Sequence, residues 1–385
     1  MSEDSKGVRT VGQHDLGGFG DGMQVLREGD ALYVGHFGPS GAGTSILDAS
    51  DPADLRLVRQ WMSPAGSHTH KVQVADGLLL VNHEQFRGGD PYSAGMAVYD
   101  LTDPFDPQQV GWFDSTGKGV HRIVWTGGDH AYVSAIPEGM IDRIWVVVDM
   151  RDPRNPVEAG RWWWPGQYEG EEPTWPDGKR FAAHHALVDG NRAYLGYGDA
   201  GLVVLDITDV AKPTQLANLT WDNVGDTHTC LPLPGRGLVV VTDEVVTEGR
   251  AGEPHDIRVV DVSDPSDPRV VSVCPAPPDE FYDHGLRFGP HNLHENRPGS
   301  YRSASLVFST WFNGGLRVYD LRDAEHPVEV AHWVPETPHG QQAPQINDLF
   351  VGAEHDIWVT DRVDGGVYAL APDERLDTLM TELAL

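Results

Sequence analysis

The chain has 385 residues, with 28 Lys plus Arg against 58 Asp plus Glu, for a formal net charge of −30. Such an acidic surface repels phosphate backbones and anionic lipid heads, which argues against nucleic acid and membranes as partners. Forty-four Gly and 28 Pro, scattered as turn punctuation, point to many short strands and against a pair of domains joined by a linker.

The N-terminal MSEDSKGVRT is polar and lacks the features of a secretory signal, and no run reaches the ~18 apolar residues of a membrane span. A cytoplasmic protein is therefore expected. GGFGDG (17–22) is rich in glycine but reads as a connection between strands, with a turn role. The next element, ILDASDPADL (46–55), opens a repeat that returns as VYDLTDPFDP (98–107), VVDMRDPRNP (147–156), VLDITDVAKP (204–213), VVDVSDPSDP (259–268) and VYDLRDAEHP (318–327). A degenerate seventh copy is VYALAPDERL (367–376).

Successive copies lie 49 to 59 residues apart, enough for four short strands with their turns. Before each motif a hairpin is expected, as in KVQVADGLLLVN (71–82) and HALVDGNRAYLGY (185–197). A fourth strand follows the motif, as in QQVGWF (108–113) and VEVAHW (328–333). The expected fold is thus all-β: one seven-bladed β-propeller of four-stranded blades spanning 1–385. VRTVGQHDL (8–16) resembles QQVGWFDST (108–116), so the N-terminal strand is expected to complete the last blade and close the ring, leaving 377–385 as a tail.

The motifs VVLDITD, VVDVSDP and VYDLRD resemble LVIVD repeats. STWFNGGLRVYDL (309–321) is similar to a stretch of the selenium-binding protein and methanethiol oxidase family. That resemblance implies a propeller carrying copper and an oxidation reaction.

Aligning the hairpins places His70, His121, His184, His228 and His291 at the opening of the innermost strand, where a propeller points side chains at its axis. The first blade has Gly22 there, and the last has Gln345, Asn347 and Asp348. Periodic imidazoles fill a channel poorly, and neutral imidazole suits zinc, copper, iron and nickel, so these five are the expected metal ligands. Within the HH pair, 184 and 185 are interchangeable, and His68 or His294 can replace its near neighbour. The opposing reading is five separately satisfied polar side chains inherited from one duplicated unit. The expected cofactor is a divalent transition metal, iron or copper ahead of zinc or manganese.

The turns on the same face bring His36, His83, Glu84, Tyr197, Asp243, Glu244 and Asp361. Glu84, Glu244, Tyr197 and His83 are the candidate catalytic groups, and His294, Glu295, Asp243 and Asp361 the candidates for orienting the ligands. Two long loops, 161–183 and 275–289, bring aromatic residues toward that rim, making Trp163, Trp164, Trp175, Phe281 and Tyr282, with Trp311 from a turn on the same face, candidates for covering a small apolar or aromatic organic substrate.

The chain has no GxSxG elbow, P-loop, dinucleotide GxGxxG or HExxH helix. Cys230 and Cys274 lack CxxC spacing and are expected as buried free thiols. The functional expectation is a metal-dependent oxidoreductase acting on a small molecule. The alternatives are a non-redox metal-dependent lyase or hydrolase and a propeller scaffold without catalysis; oligomeric state is left open.

Overall fold

The computed structural model describes residues 3–38, 41–249 and 255–385. Every Asp-x-x-Asp copy builds the same turn, because an Asp carboxylate can accept from the backbone amide two residues on. Asp48 and Asp51 accept from Ser50 and Ala53, Asp320 and Asp323 from Arg322 and Glu325, and the four copies between repeat the pattern. Each turn ends a third strand and starts a fourth antiparallel one, as Ala42–Asp48 leads into Arg56–Met62.

Repetition of that unit gives an all-β, propeller-like succession of antiparallel sheets. The described residues form five four-stranded sheets and a nine-stranded one, in which two such units meet where Gly119 pairs with Glu84. Val25, Tyr33 and Ile46 of the first sheet share an apolar core with Val72 and Leu79 of the second and with Trp358 and Val367 of the last. Both faces of these sheets are covered, so their strands read as continuous apolar runs such as IWVVVD (144–149). Each fully buried Val or Ile there contributes roughly 1.5–3 kcal/mol relative to exposure.

The N-terminal strand Val8–His14 pairs antiparallel with Gly366–Pro372, so one sheet joins the two ends of the chain. Asp4–Lys6 makes a pairing that the sequence did not suggest: it adds to Val328–Val334 of the neighbouring sheet. The tail is a helix, Glu374–Leu383, capped by the Asp373 carboxylate on the Leu376 amide and docked through Leu376 and Met380. Cys230 and Cys274 are free and buried, as composition suggested. No helix among the described residues is long and apolar enough to cross a membrane.

Candidate metal centre

The first strands of several sheets share an irregularity. In Gly119–Val124, Val120 pairs with Ala135 and Arg122 with Ser134, leaving His121 as an extra residue. The same slip leaves Asn347 over between Ile346 and Asp348, and falls at His228 and Thr229 between Thr227 and Cys230. A bulge breaks the alternation of faces and re-aims a side chain, which explains how one position per sheet is turned the same way.

Six imidazoles from these openings follow one another in an arc. Ring centroids lie 3.9 Å apart for His68 and His70, 5.0 Å for His70 and His121, and 4.9 Å for His121 and His184. The spacing is then 3.8 Å to His228 and 4.3 Å on to His291. All five ligands expected from sequence are therefore neighbours, and His68 extends the row.

Outer partners fix which nitrogen each ring offers. Glu84 Oε2 accepts from His121 Nδ1 at 2.8 Å and from His68 Nε2 at 2.7 Å. The Asn347 carbonyl accepts from His291 Nδ1 at 2.6 Å, and Thr229 Oγ1 lies 2.8 Å from His228 Nδ1. These contacts leave a lone pair on Nε2 of His121 and His291 and on Nδ1 of His68. His70 is different: Asn82 Nδ2 donates to its Nδ1 at 3.2 Å, so ligation through Nε2 requires its other tautomer.

Burial makes this arrangement unusual. His68 Nδ1, His70 Nε2, His184 Nδ1 and His228 Nε2 are buried and have no hydrogen-bond partner, a state that costs roughly 1–3 kcal/mol per group. Burial first, then neighbouring imidazoles and cations, holds His70, His184 and His228 well below the ordinary histidine value. Burial also depresses His291, and lowers His121 to about 3 against the pull of Glu84. The rings are thus neutral at physiological pH, the state a metal requires. Burial would raise Glu84, but His121 and His68 outweigh it and keep the carboxylate ionised. Unsatisfied neutral nitrogens beside carboxylates fit a divalent transition metal.

The row divides into two groups whose ligand atoms all lie within 4.8 Å of one another: His68, His70 and Glu84, and His184, His228 and Glu244. Glu244 is held by Arg287 at 2.6 Å and stands 3.9 Å from His228 Nε2 and 3.7 Å from His291 Nε2. His121 and His184 meet between the groups, Nε2 to Nε2, at 3.1 Å.

Other expected site residues are placed elsewhere. His185 turns away from His184 and pairs through Nε2 with Glu295 at 3.0 Å, so Glu295 orients His185 and not His291. His294 donates to the Tyr301 carbonyl and accepts from the Val351 amide, which leaves neither nitrogen for a ligand. Asp243 is taken by Thr227, Trp221 and Arg258, and Asp361 by the amides of Gln345, Val363 and Asp364. His83, next to Glu84 on one strand, packs its ring edge against Trp112.

The Tyr197 hydroxyl accepts from the Trp164 amide and donates to Gln167, and burial keeps the phenol protonated; it anchors the 161–183 loop and is not free to move a proton. In that loop Trp164 packs edge-on and Trp175 face-on against Phe181, while Trp163 packs on the core of the preceding sheet. Phe281, Tyr282 and Trp311 are core residues of one apolar cluster and not a cover over a substrate.

Sequence reading missed Asn82, Thr229 and Arg287, which carry no signal except their position near the histidines; Asn347, named there only as the last blade's counterpart of the histidines, acts through its backbone carbonyl. Sequence reading also missed Lys71 and Arg122, buried among the neutral rings. One cavity, of about 410 Å³, lies toward the other ends of these first strands, among Trp125, Tyr132, Leu187, Leu231 and Glu295. None of the histidines of the arc lines it.

The LVIVD repeat family matches residues 182–220 and 253–275. Comparison with curated proteins gives no match, and the similarity to selenium-binding proteins finds no support there. Among solved structures, the periplasmic gluconolactonase PpgL of Pseudomonas aeruginosa is similar in fold, with a TM-score of 0.59 at 14% identity over 89% of this chain and 99% of that one. The computationally designed Ika8 protein is similar with a TM-score of 0.53 at 11% identity, over 94% of this chain and 98% of that one.

Proposed function

We propose that the sheets are the blades of a seven-bladed propeller, closed by the N-terminal strand, and that its histidine arc holds a transition metal used to oxidise a small organic substrate with dioxygen. The observation that carries this reading is the set of buried imidazole nitrogens without partners on His68, His70, His184 and His228. Such a set is unfavourable in an apo scaffold and is relieved by a cation. A donor set dominated by imidazole suits iron or copper, which when bound would supply the redox chemistry.

The chain's own groups hold the ligands in place. Glu84 fixes His68 and His121, the Asn347 carbonyl fixes His291, and Arg287 fixes Glu244. Ligand orientation by such outer contacts is worth roughly 10–100-fold in metal affinity.

A second reading, metal-dependent hydrolysis, is favoured by Glu244. Its Oε2 stands 3.9 Å from His228 Nε2, placed to take a proton from a water at that nitrogen. The fold likeness to a gluconolactonase agrees with this reading. That protein is periplasmic, against the cytoplasmic location expected here from sequence, and fractionation of the native host decides between them.

Elemental analysis of untagged protein, with oxygen uptake and lactone hydrolysis assayed across a substrate panel, tests both readings. Stoichiometric iron or copper with oxygen uptake supports oxidation. Zinc with hydrolysis supports the second reading, and protein that purifies without metal and fails to take any up ends both.

A further inference from the structure

We infer that the arc holds two metal ions, one in each half. This rests on the metal-centre reading above and departs from it in number. One ion takes His68, His70 and Glu84; the other takes His184, His228 and Glu244.

Three observations carry the inference. The first is that the ligand atoms gather into two sets, each of two imidazoles and one carboxylate, with all atoms in a set within 4.8 Å of one another. Three protein ligands is the number an open metal site uses, and such a set occurs here twice.

The second is the distribution of unpartnered nitrogens. His68 Nδ1 and His70 Nε2 belong to one half, and His184 Nδ1 and His228 Nε2 to the other. His68, His70 and His228 are at most 8% exposed, so water relieves them poorly. A single ion in either half leaves two of these nitrogens unsatisfied in the other.

The third is spacing. Between His70 and His184 stands His121, its ring centroid 5.0 Å from one and 4.9 Å from the other. One cation binds nitrogen at ~2.0–2.1 Å, so it cannot reach the outer rings of both halves together. His121 Nδ1 is committed to Glu84 and its Nε2 faces His184, which makes it the wall between the halves and the contact that couples them. A substrate that reaches the arc then meets two cations, one able to hold it and the other to act on oxygen or water.

The test uses full-length apo protein prepared by chelation, with Co²⁺ and Zn²⁺ as probes, read by calorimetric titration and elemental analysis after desalting. Two ions per chain are expected. His68→Ala and His228→Ala should each retain one, and the double variant should bind none. Glu84→Gln and Glu244→Gln, which keep shape and packing, should each weaken one of the two sites at least tenfold and spare the other, so a folding defect in an alanine variant does not decide the matter. One ion in the native chain, abolished by either alanine substitution, overturns the two-ion inference while leaving the metal centre standing. No ion at all overturns both.

Discussion

His36 and His228 are both imidazoles sealed inside the protein, and they differ in one respect. Around His36 every polar atom is matched: Nδ1 donates to Asp21 at 2.7 Å, Nε2 accepts from Ser45 at 2.7 Å, and Ser45 Oγ accepts from Gln60 at 2.8 Å. The order Asp, His, Ser imitates a hydrolytic triad, yet Ser45 and His36 have no exposed surface and no substrate reaches them. His228 has Thr229 at one nitrogen and nothing within hydrogen-bonding distance at the other. Between these two rings burial makes no distinction; an unmatched nitrogen set in a row of facing imidazoles does.

Substitution at the two positions should therefore give opposite results. His36→Ala leaves the Asp21 carboxylate buried without its partner and should destabilise the protein by about 3–5 kcal/mol, measured by urea denaturation, with metal stoichiometry unchanged in the folded fraction. His228→Ala should shift apo stability by only about 1 kcal/mol, since the lost packing is offset by removal of an unsatisfied group, while activity falls at least 100-fold. Equal destabilisation by both would erase the distinction.

Metal should act on one region alone. Added at about 100 times Kd it should stabilise the native chain by about 2.7 kcal/mol per site, seen as a rise in Tm that chelator reverses. His68→Ala with His228→Ala should show no rise.

Acid probes all the sealed histidines of the apo chain, and His185 and His294 are two whose nitrogens are already matched. Burial lowers His185 and His294 to about 4, below the 6.5 of an exposed ring. Below pH ~6.5 the unfolded chain binds protons that the folded one refuses, so apo stability should be constant above that pH. It should fall as pH drops toward about 4, by up to ~1.4 kcal/mol per pH unit for each ring. Glu295, held low against burial by His185 and Arg122, adds a loss of the same sign only once pH enters the carboxylate range. An apo Tm that is flat from pH 7.5 to 4.5 would show that these rings are not held neutral.

The smallest effect is reserved for Tyr197→Phe, which removes two hydrogen bonds of the loop anchor. It should reduce stability by roughly 1 kcal/mol and leave kcat unchanged. A collapse of kcat would return Tyr197 to the chemistry.

The parts of the fold that were legible in the sequence are those set by local contacts. The Asx turns at each Asp-x-x-Asp and the apolar runs between them depend on residues a few positions apart and are visible in the sequence, whereas the cap at Asp373, inside the degenerate seventh copy, was not anticipated. The histidines at the strand openings were visible because repetition placed them in phase. Asp4–Lys6 was not visible, since a three-residue edge strand has no pattern of its own.

What sequence determined by itself was the repeat, its turns and the inventory of imidazoles at one end of the inner strands. Tertiary structure decided which of those side chains face one another. His184 joins the arc and His185 does not, and Glu84 and Glu244 reach it where His83 and Asp243 do not. Each pair consists of adjacent residues, in or just before a strand, and adjacent residues of extended chain point to opposite faces, so a shift of one position exchanges them. That shift is set by bulges such as the one at His121, which form as a strand pairs with its hairpin partner and leave no mark in the order of the amino acids.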